Sequence, residues 1–259
     1  MDWRQAAAEA GARGMSKGKF PEVLYGIHAV AEALRSRPVE YVAISRGAAN
    51  PRLQQLIDEC RSAGVSLRFL PRAALERQAA TTHHQDVIAV CAAKAYESLE
   101  ALLDGNEKPL LVVLDGVEDP GNLGAVIRTA VGAGADGIVV PERRAAGLSP
   151  AVARAAAGAL EHARVARVPN LPRALATLKK QGLWVYGFEA GAPTAYYDLE
   201  YRSPCALVFG GEGGGLHRLV GEGCDQRASI PLQSAVESLN VSVAVAVVLY
   251  EAVRQRRPR

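Results

Sequence analysis

Side chains able to hold or move a proton stand in three places where the surrounding sequence is otherwise apolar or rich in glycine. Ser238, Asn240 and Ser242 open a stretch, Val241 to Leu249, that is apolar around nearly its whole circumference. Such a helix is expected to be buried in the middle of a domain, so its polar first turn either caps it or lines a site. Asn122 follows the turn Asp119-Pro120-Gly121, and Arg128 comes six residues later on the helix that this turn begins. Glu212 is the one carboxylate inside the glycine run between Phe209 and Leu216. Glycine at a strand end lets a ligand approach the backbone, and open α/β sheets bind ligands at the carboxyl ends of their strands.

The elements that must position these groups alternate along the chain. Apolar runs near 110–114, 137–140, 165–168, 183–188, 205–209 and 227–231 read as strands, separated by helices near 122–133, 150–159, 172–181, 215–222 and 239–255. Strands apolar on both faces and spaced by helices imply a doubly wound parallel sheet. Before it, helices at 27–34, 51–63 and 72–80 alternate with strands at 41–45, 65–70 and 87–92, a small α/β unit. The expected layout is a leader over 1–20, a first domain over 21–96, a charged linker over 97–108 and a second domain over 109–259.

Composition narrows the class without naming it. A formal charge of +3 is too small to argue for a nucleic-acid partner, and the 49% hydrophobic content allows a sizeable core. Cys60, Cys91, Cys205 and Cys224 show no CxxC pairing, so they read as reduced, mostly buried thiols and no metal site is expected. No stretch has the ~18 apolar residues of a membrane span and no signal peptide opens the chain, so a cytoplasmic protein is expected. A nicotinamide-binding enzyme is disfavoured, since no G-x-G-x-x-G follows the first strand of a βαβ unit.

In order and spacing, NLGAVIRTA, FGGEGGGL and IPLQSAVESLNVSVAVA resemble the three motifs of the SpoU (TrmH) family of RNA 2′-O-ribose methyltransferases. The segment from Val23 to about Tyr96, opening on YGIHAVAEAL and closing on HHQDVIAV, is similar to the small substrate-binding domain of the bacterial members that modify large-subunit ribosomal RNA. The resemblance implies a SPOUT-type α/β domain whose C-terminal segment threads a trefoil knot, against the usual rule that chains do not thread. It implies S-adenosylmethionine (SAM) bound in that knot at Gly210, Ile230 and Leu239, and a catalytic set of Arg128, Asn122, Glu212, Ser238 and Asn240. It further implies a homodimer that methylates a guanosine in 23S ribosomal RNA. Another ribosomal or transfer RNA nucleotide, or an inactive RNA-binding assembly factor, stay open as alternatives.

Arginine keeps its proton up to a pKa above ~12, so Arg128 suits lowering the pKa of a neighbouring hydroxyl and holding the adjacent phosphate better than acting as a base. His28, His83, His84, His162 and His217 fall outside the motifs and read as surface or RNA contacts. The terminal Arg254, Arg256, Arg257 and Arg259 read as a solvated face that could touch phosphates. One departure from the family stands at Asp86, where glycine is common.

Overall fold

Uninterrupted apolar runs form the centres of two separate sheets in the computed structural model, which describes residues 21–48, 50–211, 214–233 and 237–257. The chain divides into two compact units, one ending at Ala95 and the other beginning at Tyr96.

The first unit runs β1 (Pro21–Tyr25), α1 (Ile27–Ser36), β2 (Val39–Ser45), α2 (Pro51–Ser62), β3 (Ser66–Leu70), α3 (Arg72–Ala79) and β4 (Val87–Ala92). Its sheet has the order β1-β4-β2-β3. β4 pairs antiparallel with β1 and β2, while β2 and β3 are parallel. β1 escapes the sequence pattern because only its middle residues are apolar. Val30, Val42, Ile44, Leu53 and Leu56 fill one face of the sheet, and Tyr25, Ala43, Leu75 and Ile88 the other. The turn into β4 is unusual. Gln85 and Asp86 both take positive φ, 53° and 61°, the region where glycine costs least. The family's preference for glycine at Asp86 thus has a backbone cause.

The second unit runs β5 (Leu110–Asp115), α4 (Pro120–Ala133), β6 (Gly137–Pro141), α5 (Pro150–Ala155), β7 (Val165–Val168), α6 (Leu171–Lys180), β8 (Trp184–Phe188), β9 (Thr194–Ala195), β10 (Cys205–Gly210), α7 (Arg218–Gly223), β11 (Gln226–Ser229) and α8 (Val241–Arg256). All seven strands pair in parallel, in the order β7-β6-β5-β10-β8-β11-β9. β5 is buried along its whole length, as expected of a central parallel strand. Helix starts follow a repeated device, an oxygen-bearing side chain set just before proline. Asp119 accepts from the Asn122 N–H ahead of α4, and Ser149 and Asn170 serve α5 and α6 in the same way. An N-cap oxygen takes up an orphan amide, and proline near the start gives up none that the helix needs.

Two expectations need correction. Residues 97–108 are no free linker, because Leu99 and Leu102 belong to the core of the second unit and Glu97 pairs with Arg164 at 3.0 Å. The charges seen in sequence lie on the outer side of a packed segment. Helix α8 is not buried all round either. Val241, Val245, Val248, Leu249 and Ala252 face inward, but Val243 and Tyr250 are 47% and 53% exposed. An apolar outer stripe is therefore left on this helix.

Among the described residues, no helix is long and apolar enough to cross a membrane, and no group of three His, Cys, Asp or Glu side chains is placed to hold a metal. Cys60, Cys91, Cys205 and Cys224 are free thiols. Burial pushes Cys60 and Cys205 up to about 11, with Arg256 working against the shift at Cys205.

Candidate active site

β5 and β10 lie side by side in register, Gly210 opposite Asp115, so the connections that leave their carboxyl ends start from neighbouring points. One connection leads to α4 and the other is the glycine loop. The two are stitched together by the Gly211 N–H donating to Asp115 O at 2.7 Å. Beside them opens a cleft of about 570 Å³ lined by Gly210, Gly211, Gly214 and Gly215 on one side and by Ile230, Leu232 and Glu237 to Val241 on the other. Phe188 and Phe209, stacked with centroids 4.8 Å apart, line it as well.

Gly210 is needed here for a reason different from ligand approach. A Cβ at this position would come within 2.1 Å of the carbonyl group of Gly215, so its absence lets the loop fold back on itself beside the cleft. Gly124 acts likewise inside α4, where a Cβ would stand 2.4 Å from the Ala155 Cβ of α5. That close approach fixes how α4 presents its first turn.

The first turns of α4 and α8 meet at their polar residues. Asn240 Nδ2 donates to Asn122 Oδ1 at 2.9 Å, joining residues far apart in sequence. Asn240 also caps α8, its Oδ1 accepting from the Ser242 N–H at 2.9 Å and from the Ser242 hydroxyl at 2.6 Å. Capping and lining are thus the same residue's two tasks. Ser238, Leu239 and Asn240 all line the cleft, as do Gly210 and Ile230. Glu212 lies outside the described residues. Arg128 is exposed on α4, is not part of the cleft wall, and makes no hydrogen bond or ion pair among the described residues.

Sequence reasoning passed over Phe188, Glu189, Phe209 and Glu237, which line the cleft. Phe188 and Phe209 sit near the ends of β8 and β10, and a strand-end position was the signal available for them.

Comparison with known proteins assigns the chain to a family. The profile of the SpoU rRNA methylase family matches residues 109–250. The chain belongs to that family. A second profile, RNA 2′-O ribose methyltransferase substrate binding, matches residues 23–97 of the same SpoU chain. It is 43% identical to the 23S rRNA (guanosine-2′-O-)-methyltransferase RlmB of Haemophilus influenzae, over 91% of this chain and 98% of that one. Against RlmB of Shewanella oneidensis the identity is 40%, over 92% and 99%. Among solved structures, the SpoU methyltransferase AviRb from Streptomyces viridochromogenes in complex with AdoMet superposes with a TM-score of 0.77 at 25% identity, covering 98% of this chain and 99% of that one. An RNA 2′-O ribose methyltransferase crystal structure gives 0.75 at 28%, covering 90% and 88%.

Proposed function

We propose that this SpoU methylase transfers a methyl group from SAM to the ribose 2′-hydroxyl of a guanosine in 23S ribosomal RNA, acting as a homodimer. The observation that carries the reading is the meeting of the cleft with the Asn122–Asn240 junction: the residues that motif resemblance assigns to the cofactor line the cleft, and Asn122, Ser238 and Asn240 of the set assigned to the ribose stand in or beside it.

The cleft suits SAM on its own chemistry. Its volume lies within the range of small-molecule sites, and the stacked phenylalanines with Ile230 and Leu239 give an adenine apolar surfaces. Glu189 and Glu237 line it too, which fits a cofactor carrying a sulfonium and an ammonium. When bound, SAM supplies an activated methyl group and a leaving group that departs neutral. The chain then has to orient the hydroxyl and ease the loss of its proton. Asn122, Ser238 and Asn240 offer amide and hydroxyl groups for orientation, with Glu212 expected in the same loop. Arg128, its donors unused among the described residues, holds the phosphate next to the target ribose and lowers the pKa of the hydroxyl.

Arg128 lies off the cleft wall, which is why a second protomer enters the proposal. The exposed stripe of α8 includes Val243 and Tyr250, and Tyr250 approaches α4 at Gly132, one helical turn beyond Arg128 on the same face. Pairing this face with a second copy would bury the stripe and bring each Arg128 toward a shared site. The knot belongs to the same proposal: Ile230, Leu232 and Glu237 to Asn240 line the cleft opposite Gly210, Gly211, Gly214 and Gly215, and Asn240 docks on Asn122, as a C-terminal chain threaded beside that loop would. The first unit is assigned RNA selection, in keeping with the profile it matches.

The deciding experiment maps 2′-O-methyl groups on 23S RNA from a strain lacking the protein, before and after incubation with pure enzyme and SAM. One guanosine should regain its mark. Calorimetry should show SAM binding and no NAD binding, and sedimentation a dimer. SAM binding without any RNA methylation would favour an inactive assembly factor. A truncated protein beginning at Tyr96, which keeps Leu99 and Leu102, should bind SAM yet methylate ribosomal RNA poorly.

A further inference from the structure

We propose that Arg144, seated on His217 and through it on Asp115, holds a phosphate of the RNA strand beside the methylation site. This rests on the RNA methyltransferase reading above and specifies one point at which the strand is gripped. Asp115 ends β5, and its carboxylate side chain is only 6% exposed. A single residue occupies both of its oxygens. Oδ2 accepts the backbone N–H of His217 at 2.8 Å, and Oδ1 lies 3.0 Å from His217 Nδ1. A carboxylate only accepts, so Nδ1 bears a proton and donates it. In the neutral ring Nε2 is then an acceptor, and Arg144 Nη1 stands 3.2 Å from it. The buried acid thus selects the tautomer, and the tautomer aims the guanidinium.

Two further observations separate this arrangement from a chance surface contact. Arg144 adopts φ 57°, a region unfavourable for a residue with a long side chain. It is exposed and makes no other hydrogen bond or ion pair among the described residues, so most of its donors point to solvent. Its location ties it to the active site. The carbonyl of Asp115 accepts from Gly211, which lines the cofactor cleft, and the loop after Arg144 is fastened to the β5–α4 connection by the Ala146 N–H donating to Val117 O at 2.9 Å. A planar cation with fixed direction and open donors, tied through His217 and Asp115 to Gly211 of the cleft wall, matches a phosphodiester. Phosphate contacts of this kind set the register of a nucleic acid without reading its bases.

The test uses the full-length protein with a 23S RNA fragment, and follows SAM affinity by calorimetry in parallel. Arg144→Ala should raise KM for RNA about tenfold, the scale of one lost charge-assisted hydrogen bond, with a smaller effect on kcat. The slope of log K against log salt should fall by ~0.7–0.9, the share of one phosphate. Arg144→Lys should restore the slope but only part of the affinity, since it returns the charge without the fork. Asp115→Asn must keep its oxygen on the His217 N–H, so its amide faces Nδ1 and drives the ring proton to Nε2, against Arg144. That variant should reproduce the rise in KM with Arg144 still present. His217→Gln, which keeps an acceptor for Arg144, should lose less RNA affinity than His217→Ala, and this pair decides the matter if Asp115→Asn does not fold. SAM affinity should stay within about twofold in the folded variants. Unchanged KM and slope in Arg144→Ala, or an equal loss of SAM and RNA affinity, would overturn the proposal. Wild-type protein that binds SAM but neither binds nor methylates RNA would overturn the broader reading instead.

Discussion

The two ends of the strands in the seven-stranded sheet use arginine in opposite ways. Where the strands begin, Arg256 donates to the carbonyl oxygens of Tyr201 and Lys108 at 2.7 Å and of Ser203 at 2.8 Å. Its guanidinium is consumed in tying the end of α8 to the segments that enter β5 and β10. On the side that carries the cleft, Arg144 has donors to spare and Arg128, on α4, has no partner among the described residues. Similar side chains with similar charge therefore serve structure at one end of the strands and stand ready for a ligand near the other.

The contrast predicts a double dissociation. Arg128→Ala should cut methyl transfer ~10²–10³-fold, the size of a lost transition-state donor, while SAM affinity and the urea midpoint hold to within ~0.5 kcal/mol. Single-turnover kinetics beside a denaturation curve would read both, and an active Arg128→Ala enzyme would remove this arginine from the chemistry. Arg256→Met should do the opposite. Loss of several bonds from a charged donor to exposed and part-buried carbonyls should lower stability by about 2 kcal/mol, with methylation per folded molecule little changed. Gly210→Ala tests the loop itself. Overpacking against the Gly215 carbonyl should weaken SAM binding by roughly 10- to 100-fold, the equivalent of ~1–3 kcal/mol of strain, with smaller effects on the sheet. Calorimetry that found wild-type SAM affinity would show that the loop can yield.

Smaller effects are expected in the first unit, which lies outside the cleft. Asp86→Gly should stabilise it by up to ~1 kcal/mol, since glycine accepts the positive φ freely and the Arg72 contact at 3.5 Å is a weak surface pair. A thermal melt decides the sign. His84 is fully buried, its Nδ1 accepting from the Asp86 N–H at 3.0 Å. Burial holds its pKa below the ordinary value of 6.5, with Arg72 adding to the shift and Asp86 and Glu76 opposing it. The unfolded chain then takes up a proton near pH 6.5 that the native ring refuses, so stability is full above that pH and declines as pH falls through it. Comparing wild type with His84→Gln at pH 7.5 and 5 isolates the effect; equal slopes would mean that His84 charges freely in the native state.

Much of this was written locally. Sequence patterns marked eleven of the twelve strands and helices described in the second unit, all but the two-residue β9, because parallel strands are buried on both faces and announce themselves without a partner. Asn50, Asp119, Ser149 and Asn170 fixed where four helices begin, each by a short-range oxygen-to-amide bond. Motif order alone was enough to indicate a SpoU methylase and to name Gly210, Ile230, Ser238, Leu239 and Asn240, all of which line one cleft.

Only the tertiary structure decided the rest. That Asn122 and Asn240 share a hydrogen bond depends on how α4 packs against α8, which no local pattern encodes. That Gly210 makes room for Gly215 rather than for a ligand follows from the path of a loop. Leu99 and Leu102 hid among charges because core membership depends on what the chain folds against. Arg256, expected on a solvated face, turned inward because carbonyls from distant segments converge on it, whereas none among the described residues converge on Arg128. Side-chain type sets what a residue can bond; the fold sets which partners are within reach.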